Sequence, residues 1–158
     1  MKANKNESQS FHLPAYTEIP SVGLYLDQTS KYINECLGEI ADGTITNSMI
    51  SNYVKHHLIA NPIKKQYGRD QIAYLLFITL CKPVLSLEQI DQLLKIQKDT
   101  CECKDAYEIF CGVFEQNLKE KQKPVSKSSQ QRKILLENVV KAMVQHIFLN
   151  QLLSEQSE

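Results

Sequence analysis

T-N-S-M-I-S-N-Y-V-K-H-H-L-I-A-N-P-I-K-K-Q-Y-G-R-D-Q-I-A-Y-L-L-F-I-T-L-C-K, residues 46–82, reads as two helices joined by a tight connection. Thr46 suits the N-cap of the first, because its hydroxyl can accept from a backbone N–H left without an intrahelical partner. Met49, Ile50, Tyr53 and Val54 recur at helical spacing and form an inward face. Asn47, Ser48, Ser51, Asn52 and Lys55 lie outward. Asn61-Pro62 and Gly68 break the pattern, so residues 58–68 are expected to form a short irregular or hairpin connection. The next helix, 69–82, is apolar nearly all round (Ile72, Ala73, Leu75, Leu76, Phe77, Ile78, Leu80), which places it at the centre of a core.

Upstream, Val22, Tyr25, Leu26, Ile33, Cys36, Leu37 and Ile40 give residues 21–40 the spacing of an amphipathic helix, and Ala41-Asp42-Gly43 ends it. Pro14 and Pro20 predict an extended surface arm before it, and the polar residues 1–12 a disordered lead. Downstream, Pro83 stops the central helix. Ser86 with Gln89 three residues on forms a capping box for a helix to about residue 97. Further helices are expected at 105–119 and 131–153, separated by the linker K-P-V-S-K-S-S-Q. Strand signals are nearly absent. The expectation is an all-α fold with at most a tiny hairpin: one unit over 13–97, and a C-terminal helical hairpin within 98–153 serving dimerisation or an effector.

The 158 residues carry no net charge, and 42% are apolar, a soluble globular composition. No apolar run is long enough to span a membrane, and the polar N-terminus lacks the apolar centre of a secretion signal, so a cytoplasmic protein is expected. Charge is unevenly distributed. Residues 46–82 hold five Lys or Arg against one acid, for +4, whereas 83–120 hold four against eight, for −4. Counterion release depends on the local face that meets phosphates, so the neutral total does not exclude nucleic acid.

Short polar side chains ending in a cation let a helix enter a major groove, where Asn can bond an adenine edge and Ser a base or phosphate. A plain solvated face has the same pattern. The order of elements goes further: a helix from Thr46 to a Leu-Ile pair, a Pro, a basic turn, a Tyr and an apolar helix resembles the MerR family of DNA-binding regulators. S-L-E-Q-I-D-Q-L-L, residues 86–94, resembles that family's next helix. The resemblance implies a winged helix-turn-helix with residues 46–59 as recognition helix and 63–67 as wing. Lys65 falls at the wing-arginine position and Tyr67 at a phosphate-contacting tyrosine. Ser48, Ser51 and Asn52 replace the family's frequent Arg, Arg and Tyr, and His57 stands where Gly is usual. Lys64 and Arg69 complete the expected DNA-contacting set with Thr46, Asn47, Ser48, Ser51, Asn52, Lys55, Lys65 and Tyr67. L-P-A-Y-T-E-I-P-S-V-G-L-Y-L-D-Q (13–28) and P-I-K-K-Q-Y-G-R-D-Q-I-A-Y-L (62–75) are similar to the signature stretches of the YkrK-like bacterial family of unknown function, which implies a cytosolic bacterial protein with a transcriptional repressor role.

Other constellations point away from catalysis. Cys101, Cys103 and Cys111 supply too few ligands for a closed tetrahedral metal site, so no metal or other cofactor is expected and the thiols are read as buried or idle. His56 and His57 point about 100° apart on a helix and do not converge. His146 falls on an apolar stripe and reads as a core or interface residue. No Gly-rich phosphate loop, nucleophile elbow, zincin motif or carboxylate pair occurs, so an enzyme is not expected. The last helix is apolar over more than one stripe, from Ile134 to Leu153. That suits a homodimer, a protein-interaction module, or a monomeric hairpin with helix 105–119.

Overall fold

The computed structural model describes residues 11–121 and 128–156. It is mostly helical, with one two-stranded sheet: β1 (Leu24–Tyr25), α1 (Leu26–Leu37), α2 (Asn47–Lys55), β2 (Gln66–Tyr67), α3 (Arg69–Cys81), α4 (Leu87–Thr100), α5 (Cys103–Lys121) and α6 (Ser128–Glu155). Among the described residues no helix is long and apolar enough to cross a membrane.

α3 is the central helix its sequence predicts. Ile72, Leu75, Leu76 and Ile78 are fully buried, and α1 and α5 pack on it. α1 starts later than the apolar spacing suggests, since Leu24 and Tyr25 pair antiparallel with Tyr67 and Gln66 instead of joining the helix. Gly23 permits this approach: a Cβ there would lie 2.6 Å from the Gln66 Cβ. Gln28 Oε1 then accepts from the Tyr25 N–H and starts the helix (2.9 Å). The Thr29 hydroxyl, inside the core, donates to the Tyr25 carbonyl (3.0 Å), so its burial leaves no bond unmade. α1 ends at Gly38, which takes a positive φ of 51°.

The N-terminal arm is a clamp rather than a surface strand. Leu13 and Ile19 are buried, and a 3-10 turn (Tyr16–Glu18) lies against α5. The Tyr107 hydroxyl donates to the Pro14 carbonyl (2.8 Å), and Tyr16 donates to the Asp70 carboxylate. Phe11 and His12, expected in a disordered lead, are docked. Phe11 meets the Phe114 ring edge-on at 6.2 Å, and His12 Nδ1 lies 2.9 Å from Glu115. Residues 1–10 of that lead lie outside the described residues.

α4 carries the expected capping box: Gln89 N–H donates to the Ser86 hydroxyl (3.2 Å) and Ser86 N–H to Gln89 Oε1 (3.0 Å). The expected linker at 123–130 is partly helix, since α6 begins at Ser128; residues 122–127 lie outside the described residues.

The C-terminal helical hairpin is not formed. The aromatic face of α5 is occupied, Phe110 by Phe77 (centroids 5.1 Å apart) and Phe114 by Phe11, while Ile109 and Val113 on the same helix stay exposed. The end of α6 docks on α4, where Gln89 Nε2 donates to Asn150 (2.7 Å), Gln92 Nε2 donates to the Leu153 carbonyl (2.7 Å), and the Leu153 side chain is buried. Nine large apolar side chains between Leu135 and Leu152 remain 43–66% exposed, and His146 is exposed among them.

Candidate nucleic-acid interface

α1 and α2 are held by a polar lock. Asn34 Nδ2 donates to the Ile45 carbonyl and Asn34 Oδ1 accepts from the Ile45 N–H, each at 2.9 Å, which fixes the turn between the helices. Thr46 caps α2, its hydroxyl accepting from the Met49 N–H (3.2 Å). Ile50 and Tyr53 face the core, while Ser48, Ser51, Asn52 and Lys55 are exposed. These four sit at i, i+3, i+4 and i+7, one continuous stripe of a helix.

Asn47 does not share that stripe's freedom. Its Nδ2 donates to the Asp27 carboxylate, and its Oδ1 accepts from the Ser30 hydroxyl (2.7 Å). Both partners are on α1, so the side chain joins helix to helix, with its Nδ2 and its Oδ1 each already engaged.

α2 closes in a Schellman motif: Leu58 N–H donates to the Tyr53 carbonyl (2.9 Å) and His57 N–H to the Val54 carbonyl (3.0 Å). The motif puts a left-handed residue after the cap, and His57 adopts it with φ 59°. A side chain there clashes with its own backbone, which Gly avoids at the cost of a freer unfolded chain. His57→Gly is therefore expected to raise stability by about 0.5–1 kcal/mol, read as a higher denaturant midpoint at unchanged slope.

The connection to α3 is a hairpin. Ile63 and Gln66 exchange both backbone hydrogen bonds (3.0 and 2.9 Å), leaving Lys64 and Lys65 as the two central residues. Their φ values are 50° and 65°, the double left-handed signature of a type I′ turn. Both side chains are exposed. Gln66 then continues into β2 and pairs with β1, so the tip is anchored to α1 through Gly23 and Leu24.

Two further residues of the expected contact set are turned inward. Tyr67 is 4% exposed, and burial pushes its hydroxyl above the ordinary tyrosine range. Arg69 Nε donates to the Ile19 carbonyl (2.8 Å) and its Nη2 to Thr17 (3.3 Å), with the guanidinium over the Tyr16 ring. That arginine holds the arm to α3. Burial and the neighbouring Asp70 carboxylate raise the Tyr16 hydroxyl to about 12, so this junction stays a neutral phenol beside a cation. Of the ten residues, Ser48, Ser51, Asn52, Lys55, Lys64 and Lys65 are presented to solvent. Thr46 caps α2 and is exposed as well, whereas Asn47, Tyr67 and Arg69 build the scaffold under them.

Burial pushes the Cys81 and Cys103 thiols up to about 12 and raises Cys36 and Cys111, so all four are protonated at neutral pH. Among the described residues no group of three or more His, Cys, Asp or Glu could hold a metal ion.

Residues 14–110 match the family described as Domain of unknown function (DUF1836), and the chain belongs to that family. No curated protein and no solved structure matches it.

Proposed function

We propose that this protein is a DNA-binding transcriptional regulator whose α1, α2 and Ile63–Gln66 hairpin act as a MerR-like winged helix-turn-helix. In this reading α2 enters the major groove with Ser48, Ser51, Asn52 and Lys55, while Lys64 and Lys65 grip the phosphate backbone. Two copies joined through α6 read two half-sites. The similarity to the YkrK-like family favours a repressor, acting in the cytoplasm of a bacterium.

The observation that carries the proposal is the composition of the turn. Type I′ hairpins select Asn-Gly, because both central residues need positive φ. Here both positions are lysine, a strained choice with two adjacent charges at an exposed tip. Local rules are broken in this way where function demands it.

The test separates the two demands. Lys64→Asn/Lys65→Gly restores the preferred turn chemistry and is expected to raise stability by about 1 kcal/mol. The same variant is expected to bind a random-sequence duplex more weakly, with the slope of log affinity against log salt flatter by about 0.9 per lost phosphate contact. An unchanged slope in a folded variant would mean that the tip does not touch DNA. The second reading, a protein-interaction module, is favoured by the exposed ladder of α6 alone; it predicts no salt-dependent DNA binding in the unaltered chain.

A further inference from the structure

α3, α4 and α5 do not close completely on one another. Between them lies a pocket of about 380 Å³, walled by Tyr74 and Phe77 from α3, Leu93 and Gln97 from α4, and Tyr107 and Phe110 from α5. Its room comes from small residues at facing positions: Ala73 on α3 and Ala106 on α5 border the space that larger side chains would fill. The volume lies within the range of sites for small organic molecules.

The wall is chemically neutral. Among the described residues no Lys, Arg, His, Asp or Glu lines it. Its polar groups are already paired: the Tyr74 hydroxyl donates to Gln97 Oε1 (2.9 Å), Gln97 Nε2 donates to the Cys101 carbonyl (2.7 Å), and the Tyr107 hydroxyl donates to the Pro14 carbonyl of the arm. A charged guest would surrender its hydration inside an uncharged lining, and the neighbouring Lys98 is already held over the Tyr74 ring, 5.4 Å from its centroid. An aromatic guest would meet four rings, two of which, Phe77 and Phe110, already stand edge to face. The chain's own α6 does not reach the pocket by its docked end, which engages Gln89 and Gln92 on the earlier part of α4.

We propose that this pocket binds an uncharged aromatic small molecule. Its mouth opens between the α4 and α5 surfaces that carry Ile96 and Ile109, both exposed.

The probe is N-phenyl-1-naphthylamine, a neutral bicyclic amine, titrated by fluorescence into the full chain. Saturable binding at one per chain is expected, with its sulfonated relative 8-anilinonaphthalene-1-sulfonate at least tenfold weaker. Ala106→Trp fills the pocket and should weaken the neutral probe at least tenfold, while Leu136→Glu/Met143→Glu on α6 should leave it unchanged. Methyl NMR of the unaltered chain keeps the test independent of how Ala106→Trp folds: the probe should shift Ile96 and Ile109 and leave Leu135 and Leu136 in place. Equal affinity for the sulfonate, undiminished binding in a folded Ala106→Trp chain, or shifts confined to α6 would each overturn the site.

Discussion

A Leu136→Glu/Met143→Glu chain should run at 18.1 kDa where the unaltered chain runs at twice that mass, and should lose about 100-fold or more in affinity for a two-half-site duplex. Leu136 and Met143 are 64% and 60% exposed in the single chain. Charging them removes no contact of the core, and the helical signal of residues 11–121 should persist. The argument for a partner is one of area. Roughly half of nine large side chains amounts to on the order of 800 Å² of apolar surface, about what each partner buries in a standard interface and above what monomers commonly expose. Leu135, Val139, Met143 and Ile147 form one i, i+4 row, and Leu136, Val140, Val144 and Phe148 form the next. Two adjacent rows with a groove between them suit a second copy of the same helix. The affinity loss follows from linkage, because joining two half-site readers makes the second binding event intramolecular. A Leu136→Lys/Met143→Lys chain checks that the loss comes from separation and not from added negative charge. Dimeric mass in both variants would place the interface elsewhere. Monomeric mass with undiminished affinity would mean that one copy reads the DNA alone.

Helix positions were legible in the sequence wherever one repeat length governs. The inward residues of α2 and the apolar girth of α3 follow from 3.6-residue spacing, and Ile50, Tyr53, Ile72 and Leu76 are buried accordingly. What escaped is what distant residues decide. Leu24 and Tyr25 have apolar spacing that continues smoothly into α1, yet they pair with residues about 40 positions downstream. Gly23 was the available signal, a residue without Cβ where backbones approach closely. The prolines of the arm announced extended chain but not that Leu13 and Ile19 would be swallowed by the core. The last helix was legible as too apolar for one stripe, whereas the rings that occupy the aromatic face of α5, Phe11 and Phe77, come from elements far away in sequence.

The candidate site divides in the same way. Side-chain type can be read directly, but the partner that claims a side chain cannot. Asn47 and Asn52 are the same residue five positions apart on one helix. Asp27 and Ser30, far upstream, take the first and leave the second. Arg69 adds to the basic count of its segment, and carbonyls about 50 residues earlier absorb its donors. At the hairpin the charges of Lys64 and Lys65 were plain and the backbone was not. A type I′ turn announces itself by Asn-Gly, and here the sequence replaces that signal with the lysines themselves.

Three substitutions on α2 should therefore separate reading from scaffolding. Asn52→Ala is expected to melt with the unaltered chain, since exposed helix positions shift stability by only about ±0.5 kcal/mol. If the residue reads a base edge, the same change should relax discrimination at one or two base pairs by roughly 1–3 kcal/mol each, with non-specific binding little altered. Asn47→Ala should cost stability instead. It removes the link to Asp27 and Ser30, one hydrogen bond of which is to a charged group, so a loss of about 1.5–3 kcal/mol is expected. Its sequence preference at the retained folding temperature should stay that of the unaltered chain. Ile50→Ala should cost roughly 2–5 kcal/mol, because the side chain is fully buried and the cavity left behind is only partly refilled. DNA binding should fall with it across all sequences. Melting curves and competition binding on each variant make the comparison. Early melting of Asn52→Ala, or altered base preference in a stable Asn47→Ala chain, would exchange their roles and rotate the reading face of α2 away from Ser48, Ser51, Asn52 and Lys55.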